Sequence, residues 1–545
     1  MSKKTDPIAA LFAAVANVRP EAERYGPEED YGAFLARHTP SAAVLAAQGQ
    51  AELYTMPRFL IQLFPGGNEK DLAATRASLE GQSYANWQIA GSAEEDFDFV
   101  LFLEAGDTLL PDALFCFAEA MNAAPGAELF YADEDVRLPG GERGEPICKP
   151  EYGEATQLSY NMIGRPMAAA KALYARAGGM VAADAERSIP AAEYDYTLRC
   201  IAKGGEVIHI PRILCTRGAR PAEIPATAGM GAVDAYLKAT GQEGTTSSGM
   251  YAGSFRVRIS RQRGGRTAIV IPNRNGADAL RRLLESVEEY RAFEAYELIV
   301  ADGDSRDMRT LRYYDILEKN RAAKIVRAQK TDWASLCNLG AAAAESEALL
   351  FLSRDAQVLT PDWLRALREQ LGRPGVGAVG GKLMNAQRRI LSAGSVAGLC
   401  GWWESPYAGE PDDTREVRKN RFINAIRQVS ILPGACMMLS AGVFEELGGF
   451  DETIPNAGTD VELCMRLYRR GLACVYTPFA ALLLHGALPR MEDAPTPAKM
   501  RCYDTLRPML QKGDPFFSPH FDYDSAIPKV CAHPKPPLQC RTYDI

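Results

Sequence analysis

The sequence has no apolar run long enough to cross a bilayer. Its longest, such as Ala348-Leu349-Leu350-Phe351-Leu352, fall far short of the roughly 20 residues that a spanning helix needs. Met1-Ser2-Lys3-Lys4 is not followed by the apolar segment of a secretory leader. A cytoplasmic location is therefore expected, with any membrane contact peripheral and at the inner face. Dense runs of Lys or Arg are also missing, and the 545 residues carry a net charge of −8. Nucleic acid as a primary partner needs clustered cations to neutralise phosphate, so it is not expected. Neither a G-x-G-x-x-G turn nor a G-x-x-x-x-G-K-[ST] loop occurs, which argues against a dinucleotide-dependent oxidoreductase or another common nucleotide enzyme. The 12 cysteines form no C-x-x-C pair and read as reduced, buried thiols. Cys531-Ala532-His533 with Cys540 lacks a fourth ligand at metal-site spacing.

What remains is an ordinary globular composition, 47% hydrophobic and 24% charged, in a chain long enough for two or three domains. Its main organisational feature is an internal repeat. In the first copy, Phe59-Leu60-Ile61-Gln62-Leu63-Phe64 is a predicted strand, 71–81 a helix, 87–90 a second strand and Val100-Leu101-Phe102-Leu103 a third. That third strand runs into Glu104-Ala105-Gly106-Asp107. In the second copy, Ala268-Ile269-Val270-Ile271, a helix over 278–290, Glu297-Leu298-Ile299-Val300 and Leu349-Leu350-Phe351-Leu352 follow in the same order, the last running into Ser353-Arg354-Asp355. Glu193, Arg199 and Pro211 match Asp460, Arg466 and Pro478 at one common offset. Short apolar strands alternating with helices predict a doubly wound, mostly parallel α/β sheet. The predicted division is a helical N-terminal extension (1–55, with helices over 7–18 and 31–47), a first α/β domain (56–217) and a linker (218–262, with a helical piece at 232–240). A second α/β domain (263–490) follows, then a C-terminal helix (497–511) and an extended tail within 491–545.

Ligands of such sheets bind beyond the carboxyl ends of the strands, where the second copy's polar residues cluster. In Ile271-Pro272-Asn273-Arg274-Asn275-Gly276, Pro272 is expected to stop the ladder and the Asn residues to tolerate unusual backbone angles. Asp302-Gly303-Asp304-Ser305 places carboxylates where a ribose hydroxyl or a base N–H is bound in nucleotide-binding sheets. A solvated turn capped by Asp304 or Ser305 fits the same spacing. Asp355, directly after a buried strand, is placed to hold Mg²⁺ or Mn²⁺ against a leaving diphosphate, or is a strand-end turn residue. Thr459 and Glu462 match a capping box. Asp460 stays available at the first helical turn as a general base, which the helix N-terminus would keep ionised. His485 is either a structural residue or one that meets a metal or phosphate. Trp402-Trp403 is either core or a platform for a sugar or acceptor.

Taken in order, these segments resemble family 2 inverting glycosyltransferases of the GT-A-type fold, in particular tandem two-domain bacterial members that build cell-surface polysaccharides. The resemblance spans about 57–525. It rests on Ile271-Pro272-Asn273-Arg274-Asn275, Ala301-Asp302-Gly303-Asp304-Ser305, Phe351-Leu352-Ser353-Arg354-Asp355, Gly377-Ala378-Val379-Gly380, Pro433-Gly434-Ala435-Cys436-Met437-Met438, Gly448-Gly449-Phe450-Asp451-Glu452, Thr459-Asp460-Val461-Glu462 and Asp514-Pro515-Phe516-Phe517-Ser518-Pro519. It implies a metal-dependent, inverting transfer from a nucleotide sugar, UDP- or dTDP-linked, to a saccharide, lipid-linked glycan or protein acceptor. Asp460 would be the base, and Asp355 with His485 the metal ligands. Pro272, Asn273, Asn275, Asp302, Asp304, Ser305 and Arg354 would meet the nucleotide, and Trp402, Trp403 and Thr459 the acceptor sugar. The metal motif departs from the family pattern, with Ser353 in place of its first acid. The pattern around 301–304 leaves open which of Asp302 and Asp304 binds the nucleotide. The first copy departs further: Gly106 stands where the metal-binding acid should be, Glu193 stands at the base position, and no His matches His485. It reads as a degenerate domain kept for acceptor binding, scaffolding or assembly, with Asp107, Asp133, Glu134 and Asp135 as candidate substitutes. The alternative is that both copies are non-catalytic and bind glycans or organise a complex.

Overall fold

The computed structural model describes residues 31–534 and Pro537, except 65–66, 92–95, 181–187, 221, 261–264, 291–293 and 414–415. The helix predicted over 7–18 and Cys540 lie outside the described residues. The first sheet is built from β1 (Phe59–Leu63), β2 (Trp87–Ile89), β3 (Phe99–Leu103), β4 (Thr108–Leu109), β5 (Ala127–Arg137), β6 (Arg143–Ile147), β7 (Met167–Ala170) and β8 (Glu206–Arg217). A separate hairpin, β9 (Gly244–Ser248) with β10 (Phe255–Ile259), follows. The second domain holds β11 (Thr267–Asn273), β12 (Tyr296–Gly303), β13 (Lys324–Ala328), β14 (Ala348–Leu352), β15 (Ala356–Val358), β16 (Val376–Met384), β17 (Ile390–Ser392), β18 (Val396–Ala397), β19 (Trp403–Glu404), β20 (Arg427–Val429), β21 (Cys436–Ser440) and β22 (Ala473–Leu484). Of these, β18 and β19 form their own small hairpin.

The repeat is topological. The first sheet runs β2-β1-β3-β7-β5-β8-β4 and the second β12-β11-β14-β21-β16-β22-β15, with β13 added outside β12. Along these paths only β7 and β4, or β21 and β15, run against the other strands. Alternation along each strand loads both faces of the second sheet. Ile269 and Ile271 join one core with Leu283, Tyr314 and Trp363, while Ala268 and Val270 join another with Cys337, Phe444 and Leu463. Every residue of β11 is buried, as expected for a strand covered by helices on both sides. This is the doubly wound α/β arrangement.

Local chemistry sets several boundaries. The helical stretch predicted over 31–47 is two helices, Tyr31–His38 and Ala42–Gly49. Pro40 disfavours helical geometry at Thr39, and the Ser41 side chain caps the second helix. Pro272 does not stop the ladder: β11 keeps pairing with β12 through Pro272↔Ala301 and Asn273↔Asp302, and only the pairing with β14 ends earlier, at Val270↔Phe351. The C-terminal tail is packed in place: Phe517, Phe521, Tyr523 and Val530 share a cluster with Tyr31 and Phe34 of the N-terminal helix and Ile213 of β8. The two domains are joined by hydrogen bonds, and the hairpin between them is tied to the second by an ion pair. The amides of Ile426 and Gln428 donate to the hydroxyls of Ser159 and Thr156, both at 3.0 Å. Arg256 of β10 pairs with Glu369 at 2.8 Å.

Candidate functional site

Four parallel strands, β13, β12, β11 and β14, end on one rim, and their terminal residues are tied to one another. Asp302, 3% exposed at the end of β12, accepts from Tyr314 Oη at 3.0 Å and from the Ser305 amide at 3.3 Å, with the Ser305 hydroxyl in close contact. Asn273 Nδ2, at the end of β11, donates to Tyr314 Oη at 2.6 Å. The next turn locks onto this pair: the Asn275 amide donates to Ser305 Oγ at 2.9 Å, and Asn275 Oδ1 accepts from the amides of Arg306 and Asp307 at 2.7 and 2.9 Å. Asn275 and Asp304 both take positive φ, 50° and 56°, which short polar side chains tolerate. Asp304 points outward and pairs with Arg306 at 2.8 Å. The strand-end signal in the sequence therefore marks a hydrogen-bonded rim, on which Asp302 is the buried anchor and Asp304 the accessible carboxylate. The helix cap here is Asp307, not Asp304 or Ser305.

At the end of β14, Arg354 reaches across to the neighbouring strand. Its Nη1 donates to Asn273 Oδ1 at 3.1 Å and also contacts the Arg274 carbonyl, so a guanidinium is fixed above the rim. Asp355 lies next to it, with its carboxylate 38% exposed and 4.0 Å from Arg354 Nε. Strand β15 runs antiparallel to β22 with Ala356 opposite Leu484, which brings Asp355 beside His485; the His485 amide donates to the Asp355 carbonyl at 2.9 Å. The ring of His485 approaches Gln357 Oε1 through Nε2 at 2.8 Å. An amide oxygen can only accept, so Nε2 carries the proton and Nδ1 keeps its lone pair. Desolvation and the nearby Arg282 lower the His485 pKa against the pull of Asp355, which keeps the imidazole neutral. A carboxylate and a neutral imidazole nitrogen fit a divalent cation whose other ligands are phosphate oxygens and water. Among the described residues no group of three or more His, Cys, Asp or Glu is placed to hold a metal without such help.

Asp460 sits in the first turn of the helix Thr459–Arg469. Its Oδ2 accepts from the Gly434 amide at 2.8 Å and its Oδ1 from the Val461 amide at 2.9 Å. Gly434 leads into β21, and the following residue, Ala435, accepts from the Ser353 amide at 3.0 Å. Asp460 and the Ser353-Arg354-Asp355 segment are thus fastened to the same short loop. Burial raises the Asp460 pKa, and the bonds from the Gly434 and Val461 amides oppose the rise. The helix N-terminus therefore does not leave it an ordinary ionised carboxylate; desolvation is the larger influence. Three buried thiols feel the Asp460 charge: Cys337 and Cys502 are pushed up chiefly by burial, and Cys464 by its hydrogen bond with Cys474 and then by burial.

Two expectations for this helix fail. Thr459 is not the cap: Gly458 holds that position at φ 91°, a left-handed conformation that suits glycine. Any side chain at Gly458 would also meet Met491 Cε at 2.4 Å. Glu462 forms an i,i+4 pair with Arg466 at 2.6 Å instead of closing a capping box. Thr459 is fully buried and donates to the Asp451 carbonyl at 3.3 Å, so it is out of reach of an acceptor sugar. Trp402, 8% exposed, belongs to the core, and Trp403 packs half-buried beside it with ring centroids 6.5 Å apart. An aromatic residue that no motif in the sequence marks, Trp333, stands beside Asp460 at the start of the helix Trp333–Ala342: a methyl placed on Gly434 would lie 3.2 Å from its Nε1 and 3.4 Å from Asp460 Cβ.

The matching rim of the first domain is closed by an arginine. Arg165, with no exposed side-chain surface, pairs with Asp107 at 2.6 Å, Glu104 at 2.7 Å and Glu193 at 3.4 Å. Those carboxylates come from the end of β3, the counterpart of β14, and from the position matching Asp460. The other substitutes are occupied as well. Asp133 pairs with His209 at 2.8 Å, Glu134 with Arg217 at 3.2 Å, and Asp135 with Arg143 at 2.8 Å and with the Tyr31 hydroxyl.

Residues 268–448 match the model of the family described as Glycosyl transferase family 2. Among curated proteins, the chain is 28% identical to the O-antigen biosynthesis protein RfbC of Myxococcus xanthus, over 93% of this chain and 44% of the relative. It is 29% identical to the uncharacterized protein y4gI of Sinorhizobium fredii, over 73% of this chain and 45% of the relative. The chain thus spans less than half the length of these relatives. Among solved structures, GalNAc-T7 with UDP, GalNAc and Mn²⁺ aligns with a TM-score of 0.36 at 16% identity, over 45% of this chain and 48% of that one.

Proposed function

From the match of residues 268–448, in the second domain, to the Glycosyl transferase family 2 model, we propose that the chain is a glycosyltransferase of bacterial surface polysaccharide or glycoconjugate synthesis. It moves a sugar, with inversion, from a nucleotide diphosphate sugar to a hydroxyl of a saccharide, lipid-linked glycan or protein. The observation that carries this reading is the attachment of Asp460 and the Ser353-Arg354-Asp355 segment to one loop at the carboxyl rim of the sheet. Asp460 and His485 lie beyond the matched span, so their roles rest on this geometry. The name of the Myxococcus xanthus relative supports the pathway class.

In the proposed reaction, Asp460 removes the proton of the acceptor hydroxyl as its oxygen attacks the anomeric carbon. The bond from that carbon to the diphosphate oxygen breaks on the opposite face. Its desolvated carboxylate is a better base than a solvated aspartate at neutral pH. The Asn273, Asn275, Asp302 and Ser305 rim receives the nucleoside, with Asp304 and Pro272 at its border. Arg354 supplies a fixed positive charge where the diphosphate develops negative charge. Asp355 and His485 Nδ1 would hold Mg²⁺ or Mn²⁺, whose chemistry is further charge neutralisation on the leaving diphosphate. The first domain, with its counterpart carboxylates occupied by Arg165, serves as scaffold. No helix among the described residues is long and apolar enough to cross a membrane.

The test is incubation of the chain with UDP-, dTDP- and GDP-sugars and Mn²⁺ or Mg²⁺, reading released nucleotide with and without chelator. Cation-dependent release from one donor is expected. Nucleotide binding with no release from any donor would favour the non-catalytic alternative.

A further inference from the structure

We infer that Trp333 is the platform on which the acceptor's sugar ring stacks beside the base. This rests on the proposed transfer at Asp460. The helix that carries the indole is held in place. The Trp333 amide donates to Asn456 Oδ1 at 3.1 Å and the Ala334 amide to the Pro455 carbonyl at 3.0 Å. Asn338 exchanges bonds of 2.9 and 2.8 Å with the Phe450 backbone. These contacts clamp the helix Trp333–Ala342 to the loop that leads into Gly458 and Asp460. Cys337, one turn on and therefore on the same face, is fully buried and senses the Asp460 charge. Trp333 is the partly exposed residue of that pair.

Gly434 closes the argument. Its missing Cβ would lie 3.2 Å from Trp333 Nε1, 3.5 Å from Trp333 Cζ2 and 3.4 Å from Asp460 Cβ, so base and indole flank a single glycine. A general base must reach the acceptor hydroxyl to within about 2.6–3.2 Å. The ring bearing that hydroxyl then lies within one ring's width of the indole. An aromatic face offers a pyranose its C–H surface while leaving the hydroxyls to polar partners. Trp402 cannot serve in the same way, since it is core, and Trp403 packs against Trp402 and is not among the atoms nearest Gly434.

The experiment uses the full chain with Mn²⁺ and either UDP or dTDP, and saturation-transfer NMR with the methyl glycosides of glucose, galactose, mannose and rhamnose as probes. At least one glycoside is expected to bind the wild type through its ring C–H groups. Trp333→Phe should keep that binding, and Trp333→Ala should weaken it roughly 3- to 10-fold with nucleotide affinity unchanged. The assignment is overturned if no glycoside binds the wild type, if Trp333→Ala binds glycoside as well as wild type, or if Trp333→Phe keeps nucleotide but loses glycoside as fully as Trp333→Ala. Donor consumption is read separately. A chain that binds glycoside through Trp333 yet consumes no sugar nucleotide refutes transfer and leaves the platform standing.

Discussion

The backbone amide of Gly434 holds one oxygen of Asp460 at 2.8 Å, and through Ala435 and Ser353 the same loop carries Arg354 and Asp355. Residues about a hundred positions apart in sequence thereby share one rim. The loop fixes the carboxylate's direction, and burial beside Trp333 and Cys337 sets its basicity.

The first prediction concerns pH. Burial raises the Asp460 pKa, so the carboxylate needed as base is lost by protonation at a higher pH than an ordinary aspartate, about 3.9. The acid limb of kcat/KM should fall as pH drops through a value above about 4 and disappear in Asp460→Asn. A limb at or below the ordinary range would contradict the desolvated base.

Asp355→Ala should remove cation dependence. Wild-type nucleotide release is expected to fall when chelator is added and recover with Mn²⁺ or Mg²⁺. The variant should be slow in both conditions, with nucleotide affinity no longer responsive to metal. Full recovery by Mn²⁺ in Asp355→Ala would place the cation elsewhere.

Arg165→Met tests the closed rim of the first domain. It removes the nearest counter-charge from Asp107 and Glu193, 2% and 1% exposed, leaving Asp107 with Arg217 at 3.8 Å. Breaking a buried pair in this way costs about 3–5 kcal/mol. Urea unfolding should show a loss of that size, and a change under about 1 kcal/mol would show that these carboxylates have other support.

His209 gives a second pH signature. Burial works against its charged form, but Asp133 at 2.8 Å and Glu151 outweigh it and raise the pKa to about 9. The folded state therefore holds a proton that the unfolded chain releases near 6.5. That stabilisation is fully present below about 6.5 and is lost as pH rises through about 9, with a slope of up to about 1.4 kcal/mol per pH unit. His209→Gln should flatten the urea midpoint over this window, and an unchanged slope would rule the pair out as its source.

Much of this architecture is written locally. The apolar runs at 59–63, 99–103, 267–273 and 348–352 are strands, and the repeat seen in Glu193 and Asp460 is a repeat of strand order. The parts that were not legible depend on distant partners. Glu462 looks like a capping residue until Arg466 and the left-handed Gly458 are in place. Nothing near Arg165 in sequence says that it will meet three carboxylates from two other segments. Trp402-Trp403 draws attention as an aromatic pair, yet the indole beside Gly434 and Asp460 is Trp333, and both of those neighbours are remote from it in sequence.

The most direct test of the account is the rate of sugar transfer by Asp460→Asn, with nucleotide affinity measured in parallel. Removal of a positioned base should lower turnover by roughly 10²–10⁴-fold while nucleotide binding stays at the wild-type level. Transfer at the wild-type rate would show that this carboxylate takes no proton and that the rim it shares with Asp355 is not where the chemistry occurs.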